Sequence, residues 1–271
     1  MNPIELLSAE ELKETLSTPD LILVQVTSQK QYLEGHVPGA LLVTPEELVS
    51  GQPPATGKLP SLKNLNTVLS NIGYDPDKKI IAYDDEGGGW AGRFLWTLDC
   101  VGHQSMGYVN GGLDAWRGSS YPIERISATT KNTNVTLVLN GSPIASLKEV
   151  LNAIDDPNHL IWDARSYKEY IGENLYAARG GHIPSAFNLD WSALKDPNNY
   201  QCLPSNLRDI LEDNDLLSGK RIITHCQTHH RSGLTYLVGR LFQLDIKAYD
   251  GSWSEWGNRT DTPIELSPSK I

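Results

Sequence analysis

The feature that most constrains the fold of this chain is a sequence pattern that occurs once in each half. Ser8 opens SAEE in the first half and Ser146 opens SLKE in the second, and both Ser-x-x-Glu sequences predict a capped helix. The turn GHVPGA from Gly35 has its counterpart in GHIPSA from Gly181. A duplicated pattern over 271 residues, more than one hydrophobic core usually takes, predicts two domains of the same fold.

Short runs of apolar and β-branched residues mark strands in each half. The runs cover residues 21–26, 80–83, 160–162 and 221–224. Segments with helical periodicity lie between them, and this alternation is typical of parallel strands with helices on both faces of the sheet. We therefore expect an α/β protein with two tandem domains, each a parallel sheet flanked by helices.

A segment rich in Ser, Thr and Asn separates the halves and predicts a connection centred near residue 135. It places the first domain at residues 1–130 and the second at residues 140–271. A short run of β-branched residues also predicts a strand at residues 135–139, inside this connecting segment.

The charge and the apolar content of the chain limit its partners and its location. The 23 Lys and Arg residues against 33 Asp and Glu residues give a net charge of -10, which disfavours non-specific binding to nucleic acid or an anionic membrane. No apolar run reaches the roughly 20 residues of a membrane span, and the first residues lack the pattern of a signal peptide. We expect a soluble cytoplasmic protein whose three cysteines are thiols.

The most informative short segment is CQTHHR, residues 226–231, which follows a predicted strand. Apolar residues recur at helical spacing after Ser232, so a helix should begin near that residue and the segment before it must form a tight loop. Such a loop at the carboxyl end of a parallel strand directs several N–H groups toward its centre, and the helix dipole adds positive charge. Because these surroundings lower the pKa of a thiol from about 8.5, we interpret Cys226 as a nucleophile.

The remaining residues of this loop are the candidates for binding an anionic substrate. They are Gln227, Thr228, His229, His230, Arg231 and Ser232. In the first half, the segment KKIIAYDD corresponds to KRIITHCQ, so that Asp84 stands at the position of the cysteine.

Other interpretations of Cys226 fit its neighbours less well. A cysteine after an apolar strand is often a small buried hydrophobe, but Gln, Thr, His, His and Arg do not usually follow a core position. A metal site of His225, Cys226, His229 and His230 has no second ligand pair at zinc spacing, so we expect no metal.

Phosphate loops of cysteine phosphatases are one residue longer between Cys and Arg. The shorter ring suits the outer sulfur of a persulfide and predicts sulfane sulfur transfer by double displacement.

The repeat, the two GH-x-P turns, the CQTHHR loop and the segment YDGSWSEW together resemble the two-domain rhodaneses, which are thiosulfate sulfurtransferases. The loop is similar to that of bacterial members, and the resemblance covers nearly the whole chain. It implies a catalytic second domain, an inactive first domain and a persulfide on Cys226. The implied cycle takes sulfur from thiosulfate, a small anionic donor, releases sulfite, and passes the sulfur to a thiophilic acceptor such as cyanide. No cofactor is expected.

Two related functions stay open at this point. A 3-mercaptopyruvate sulfurtransferase would use a different donor, and a persulfide carrier would deliver sulfur to a protein acceptor in a biosynthetic system. For each of these functions we expect a monomer, with neither nucleic acid nor membrane as a partner.

One position departs from the family pattern. Animal rhodaneses and mercaptopyruvate enzymes carry an arginine just before the aromatic residue that matches Tyr170, and that arginine helps to hold the anionic donor. This chain has Glu169 there. A carboxylate that faces the pocket would repel thiosulfate, so we expect Arg231, His229 and His230 to hold the donor, or the physiological donor to be different.

Several other residues are expected to have structural roles. Arg165, from the segment DAR, should pair with a carboxylate at the end of its strand, and His36 and His182 should form hydrogen bonds within their turns. Trp191 and Trp253 are candidates for a wall of the pocket.

Overall fold

The fold consists of two parallel sheets flanked by helices, seen in a computed structural model that describes residues 2–266. The first half contains the strands β1 (Glu5–Leu7), β2 (Leu21–Val26), β3 (Leu41–Val43), β4 (Lys79–Tyr83) and β5 (Met106–Val109). Its helices are α1 (Ala9–Thr15), α2 (Gln29–Glu34), α3 (Leu62–Asn71), α4 (Gly89–Cys100) and α5 (Gly112–Gly118). The second half contains the strands β6 (His159–Asp163), β7 (Phe187–Asn188), β8 (Arg221–His225) and β9 (Ile246–Ala248). Its helices are α6 (Leu147–Ala153), α7 (Tyr167–Tyr170), α8 (Leu207–Asp213), α9 (Arg231–Leu241) and α10 (Ser252–Trp256).

The two sheets have corresponding strand orders. The first sheet runs β1-β5-β4-β2-β3 and the second runs β7-β6-β8-β9, with all neighbours parallel. A parallel bridge from Ile144 to Ala248 stands where β1 pairs with β5 in the first sheet. The four runs predicted as strands lie within β2, β4, β6 and β8, and the predicted fold class is confirmed. Among the described residues, no helix has both the length and the apolar character needed to cross a bilayer.

The two predicted helix starts carry the same cap. The Ser8 hydroxyl accepts the Glu11 N–H at 3.2 Å, and the Glu11 carboxylate accepts the Ser8 N–H at 2.7 Å. Ser146 and Glu149 repeat this arrangement at 3.2 and 2.8 Å. Because each cap satisfies two N–H groups that the helix leaves free, it fixes the first turn of α1 and of α6.

The strand predicted at residues 135–139 is wrong. These residues belong to no strand, and hydrogen bonds from Leu137 and from the following Asn140 tie the connection to the first half. The Leu137 N–H donates to the Asn66 side chain at 3.0 Å, and the Asn140 N–H donates to the Cys100 carbonyl at 2.7 Å. The composition of the segment gave no sign of these distant partners, which hold the connection against the first half.

The halves pack through α4 and α9, which approach so closely that glycine is required where they meet. A β carbon on Gly233 would lie 2.3 Å from the Gly89 carbonyl oxygen and 2.6 Å from the Arg93 nitrogen. A β carbon on Gly92 would lie 2.2 Å from the Gly233 carbonyl oxygen. Since α9 follows the CQTHHR loop directly, this contact positions the loop against the first half.

Candidate active site

Cys226 lies between the end of β8 and the start of α9, as the sequence predicts. Its carbonyl accepts the Trp253 N–H at 2.9 Å, and the Gln227 carbonyl accepts the Ser254 N–H at 2.9 Å. The Cys226 N–H donates to the Ser252 hydroxyl at 3.4 Å. The start of α10 therefore ties the first two residues of the loop in place.

The loop forms one side of a pocket of about 300 Å³. The pocket is lined by Glu169, Tyr176, Cys226, Gln227, Thr228, His230 and Arg231. Cys226 is fully buried, and as one of the residues that line the pocket it forms part of the pocket floor. Of the six residues predicted to bind substrate, Gln227, Thr228, His230 and Arg231 line the pocket, whereas His229 and Ser232 do not.

The surroundings of Cys226 favour the thiolate. Burial alone would raise the pKa of this thiol, but the positive charge of Arg231 and hydrogen bonds from the hydroxyl and the backbone of Ser232 oppose it. The positive charge of His230 acts in the same direction, and the pKa of Cys226 is lowered overall. Burial instead raises the pKa of Cys100 and of Cys202. Since the thiolate is the nucleophilic form, these surroundings favour Cys226 over Cys100 and Cys202 as the nucleophile that the sequence predicts.

Glu169 faces the pocket and is bound to Arg231. The two guanidinium N–H groups donate to its carboxylate oxygens at 2.6 and 2.8 Å, and the Glu169 side chain is 5% exposed. Burial would raise the pKa of Glu169, but its hydrogen bonds and ion pair with Arg231 lower it. The carboxylate is therefore charged at neutral pH and partly neutralises the guanidinium predicted to hold the donor.

The side chain of His229, predicted to help hold a donor, lies away from the residues that line the pocket. Nδ1 is 2.7 Å from the Ser232 hydroxyl, and the ring meets Trp96 of the first half edge to face at 4.5 Å. The backbone of His229 is left-handed, with a φ of 55 degrees. Because burial and the charge of Arg93 hold the pKa of His229 well below its usual range, the ring is neutral and packs as part of the core.

His230 stays at the pocket and is surrounded by residues of both halves. Its Nε2 contacts the carboxylate of Glu86, its ring stacks on Trp90 at 4.3 Å, and Trp191 lies at 5.5 Å. Trp191 contacts the His230 ring but is not among the residues that line the pocket, and Trp253 is buried under Arg165. The sequence predictions missed Glu86, Trp90, Trp96 and the pocket residue Tyr176. The repeat aligns the halves with each other, but it carries no signal for contacts between them.

The loop after β4 in the first half corresponds to the CQTHHR loop, and its backbone N–H groups surround a carboxylate. The Asp84 carboxylate accepts backbone N–H groups at 3.3, 3.1, 2.8 and 2.9 Å. The donors are Glu86, Gly87, Gly88 and Ala91. Burial and the nearby charge of Glu86 nevertheless raise the pKa of Asp84 to about 6. The loop at the end of β4 therefore encloses a side chain that can carry negative charge, at the position that Cys226 occupies after β8.

The predicted structural residues occupy the expected places. Arg165 donates to both carboxylate oxygens of Asp163 at the end of β6, with the shortest contact at 2.6 Å, so its predicted structural role is confirmed. His36 and His182 place Nδ1 2.9 Å from the carbonyl oxygens of Tyr32 and Tyr170, which confirms hydrogen bonding within the turns. Within residues 2–266, His, Cys, Asp and Glu side chains form no group of three that could hold a metal ion.

The fold and the site define a class: duplicated α/β proteins in which one half carries a cysteine in the short loop between a parallel strand and a helix. Rhodanese-like domains match residues 8–119 and 146–259. The chain belongs to the rhodanese family. It is 46% identical to a thiosulfate sulfurtransferase of Azotobacter vinelandii and 42% identical to one of Pseudomonas aeruginosa, each over 94% of this chain and 95% of the relative.

Some of the more distant relatives carry a different name. A 3-mercaptopyruvate sulfurtransferase of Escherichia coli is 28% identical over 87% of this chain and 85% of that protein. The solved structure of an anaerobic ergothioneine biosynthesis enzyme from Chlorobium limicola superposes with a TM-score of 0.84. It is 19% identical and covers 98% of this chain and 71% of that chain, so this likeness concerns the fold alone.

Proposed function

We propose that this protein is a thiosulfate sulfurtransferase that moves sulfane sulfur to a thiophilic acceptor such as cyanide through a persulfide on Cys226. The observation that carries the proposal is a single cysteine with a lowered pKa at the floor of an open pocket. The names of the relatives that are 46% and 42% identical over nearly the whole chain support the choice of donor.

In the first half-reaction, the Cys226 thiolate attacks the outer sulfur of thiosulfate. A sulfur–sulfur bond forms to Cys226, the sulfur–sulfur bond of the donor breaks, and sulfite leaves with the bonding electron pair. The outer sulfur of the persulfide keeps a negative charge, which the N–H groups of the loop stabilise as those of the Asp84 loop stabilise a carboxylate. In the second half-reaction cyanide attacks this outer sulfur, and thiocyanate forms as the thiolate is released.

The two halves have different roles in this proposal. The second half, residues 140–271, is catalytic, and the first half, residues 1–130, is inactive because Asp84 replaces the cysteine. The substrate is bound by the side chains or N–H groups of Gln227, Thr228, His230 and Arg231, which line the pocket. Ser232 forms hydrogen bonds to the Cys226 sulfur. The protein acts as a cytoplasmic monomer, where a reducing environment keeps its three free cysteines as thiols.

A direct test is sulfur loading followed by mass spectrometry of the intact protein. Incubation with thiosulfate should add the mass of one sulfur atom, and cyanide should remove it while thiocyanate appears. Cys226→Ser should not be loaded, whereas Cys202→Ser, the matched control, should be loaded like the wild type. Loading that persists in Cys226→Ser would refute the assignment.

Two alternatives are each favoured by one observation. The relative from Escherichia coli favours 3-mercaptopyruvate as the donor, and the ratio of kcat/KM for the two donors decides between them. Leu175 and Tyr176, which are 62% and 64% exposed beside the pocket, favour a persulfide carrier that contacts a protein acceptor. Such a carrier would load rapidly from its donor but turn over slowly with cyanide.

A further inference from the structure

A carboxylate of the half without the cysteine reaches into the active site. Glu86 follows Asp84 in the first half, and its Oε1 contacts Nε2 of His230, the loop residue that lines the pocket. Because a carboxylate accepts hydrogen bonds, this contact pairs with the form of His230 that carries a proton on Nε2. The contact therefore fixes both the orientation of the ring and the position of one of its protons.

Glu86 is itself held firmly. Its Oε1 accepts the Trp90 N–H at 3.1 Å at the start of α4, and its carbonyl accepts the Lys195 ammonium at 2.8 Å. A β carbon on Gly89 would lie 2.5 Å from Oε1 of Glu86 and 2.8 Å from Nε2 of His230. A glycine at position 89 thus leaves the space in which the carboxylate and the imidazole meet.

The ring of His230 has little freedom to leave this position. It stacks on Trp90 with an interplanar angle of 17 degrees, and the Trp191 ring lies 5.5 Å away at a tilt of 60 degrees. The side chains of His230 and Glu86 are 25% and 30% exposed, so their interaction is only partly screened by water. Without the carboxylate, the stacking on Trp90 would remain but the direction of Nε2 would not be fixed.

We propose that Glu86 is a positioning residue of the active site, which holds the His230 ring beside the pocket so that the first half helps to set the reactivity of Cys226 and the affinity for the anionic donor. The statement about the donor rests on the proposed function, whereas the statement about the reactivity of Cys226 does not. Positive charge on His230 is one of the influences that lower the pKa of Cys226, and it acts only while the ring stays close.

Other charged groups near His230 also bear on the pH dependence of this effect. Arg231 follows it in the loop and interacts with Cys226, while Lys195 and Asp84 interact with Glu86. The buried ring of His229 is neutral and adds no charge. A test must therefore separate a change transmitted through His230 from a general change of charge, which a double-variant design achieves.

The test is the rate at which iodoacetamide alkylates Cys226 as a function of pH, measured on the peptide that contains it. Glu86→Ala should move the midpoint upward by about half a unit to one unit, so that alkylation below the midpoint is roughly 3- to 10-fold slower. His230→Gln should have the same effect, and adding Glu86→Ala to His230→Gln should change nothing further. Glu86→Gln, which keeps an acceptor for Trp90 and for the ring, should lie between Glu86→Ala and the wild type.

Glu14→Ala is the matched control, because it removes an exposed carboxylate of the first half from α1 and should leave the midpoint unchanged. An unchanged midpoint in Glu86→Ala, or an equal shift in the His230→Gln background, would overturn the inference. If Glu86→Ala does not fold, the same comparison is made with Glu86→Gln. Steady-state kinetics of folded variants should show a higher KM for thiosulfate. Failure of sulfur loading in the wild type would refute the proposed function while the alkylation result still decides the role of Glu86.

Discussion

Replacing Gly233 by alanine tests whether the packing of the two halves sets the geometry of the active site. The new β carbon would lie 2.3 Å from the Gly89 carbonyl oxygen and 2.6 Å from the Arg93 nitrogen, whereas ordinary contacts begin at 3.4 Å. All of these are backbone atoms, so no side chain can move aside and α4 and α9 must separate by about 1 Å. Overpacking of this kind destabilises a fold by about 1–3 kcal/mol.

The activity should fall more than the stability suggests. Gly233 lies in the first turn of α9, two residues after Arg231, so the separation displaces the loop that holds Cys226. A displacement of about 1 Å at a catalytic site can lower a rate by about 100-fold. We expect a lower urea midpoint together with a loss of kcat/KM for thiosulfate of about that size.

The control for this substitution is Gly141→Ala. Gly141 is exposed, and a β carbon there would meet no atom within 4 Å. Gly141→Ala should keep full activity and, since alanine restricts the unfolded chain, be as stable as the wild type or more stable by about 0.4–1 kcal/mol. If Gly233→Ala unfolds at the wild-type urea concentration and keeps its kcat/KM, the close approach of the two helices does not position the site.

Three further predictions concern charge. Glu169→Gln removes the carboxylate that binds Arg231, and the KM for thiosulfate should fall several-fold, with a change on the order of 1 kcal/mol in donor binding; an unchanged or higher KM would contradict this. Ser232→Ala removes a hydrogen bond to Cys226, so the pH midpoint for alkylation of Cys226 should rise, and an unchanged midpoint would show that this hydroxyl does not stabilise the thiolate. Because the pKa of Asp84 is raised from 3.8 to about 6, its protonation stabilises the fold as the pH falls from about 6 toward 4. That contribution, measured by urea unfolding at several pH values, should be absent in Asp84→Asn.

The sequence by itself determined the architecture and the position of the loop that carries the predicted nucleophile. The duplicated caps at Ser8 and Ser146, the strand runs and the change of periodicity after Cys226 are local signals, because each depends on neighbouring residues of one element. A cysteine followed by cationic residues between a strand and a helix is a signal of the same kind. These features predicted the two parallel sheets and the position of the loop.

Only the tertiary structure decided how the side chains around Cys226 are used. His229 and His230 are neighbours of the same type, yet one ring packs inside against Trp96 and the other lines the pocket beside Glu86. Glu169, which the sequence alone left free to face the pocket unpaired, lines the pocket bound to Arg231. The physical reason is that these contacts join residues far apart in the chain, across the meeting of α4 with α9 or between α7 and α9. No local periodicity encodes such contacts, since they exist only when the helices have packed.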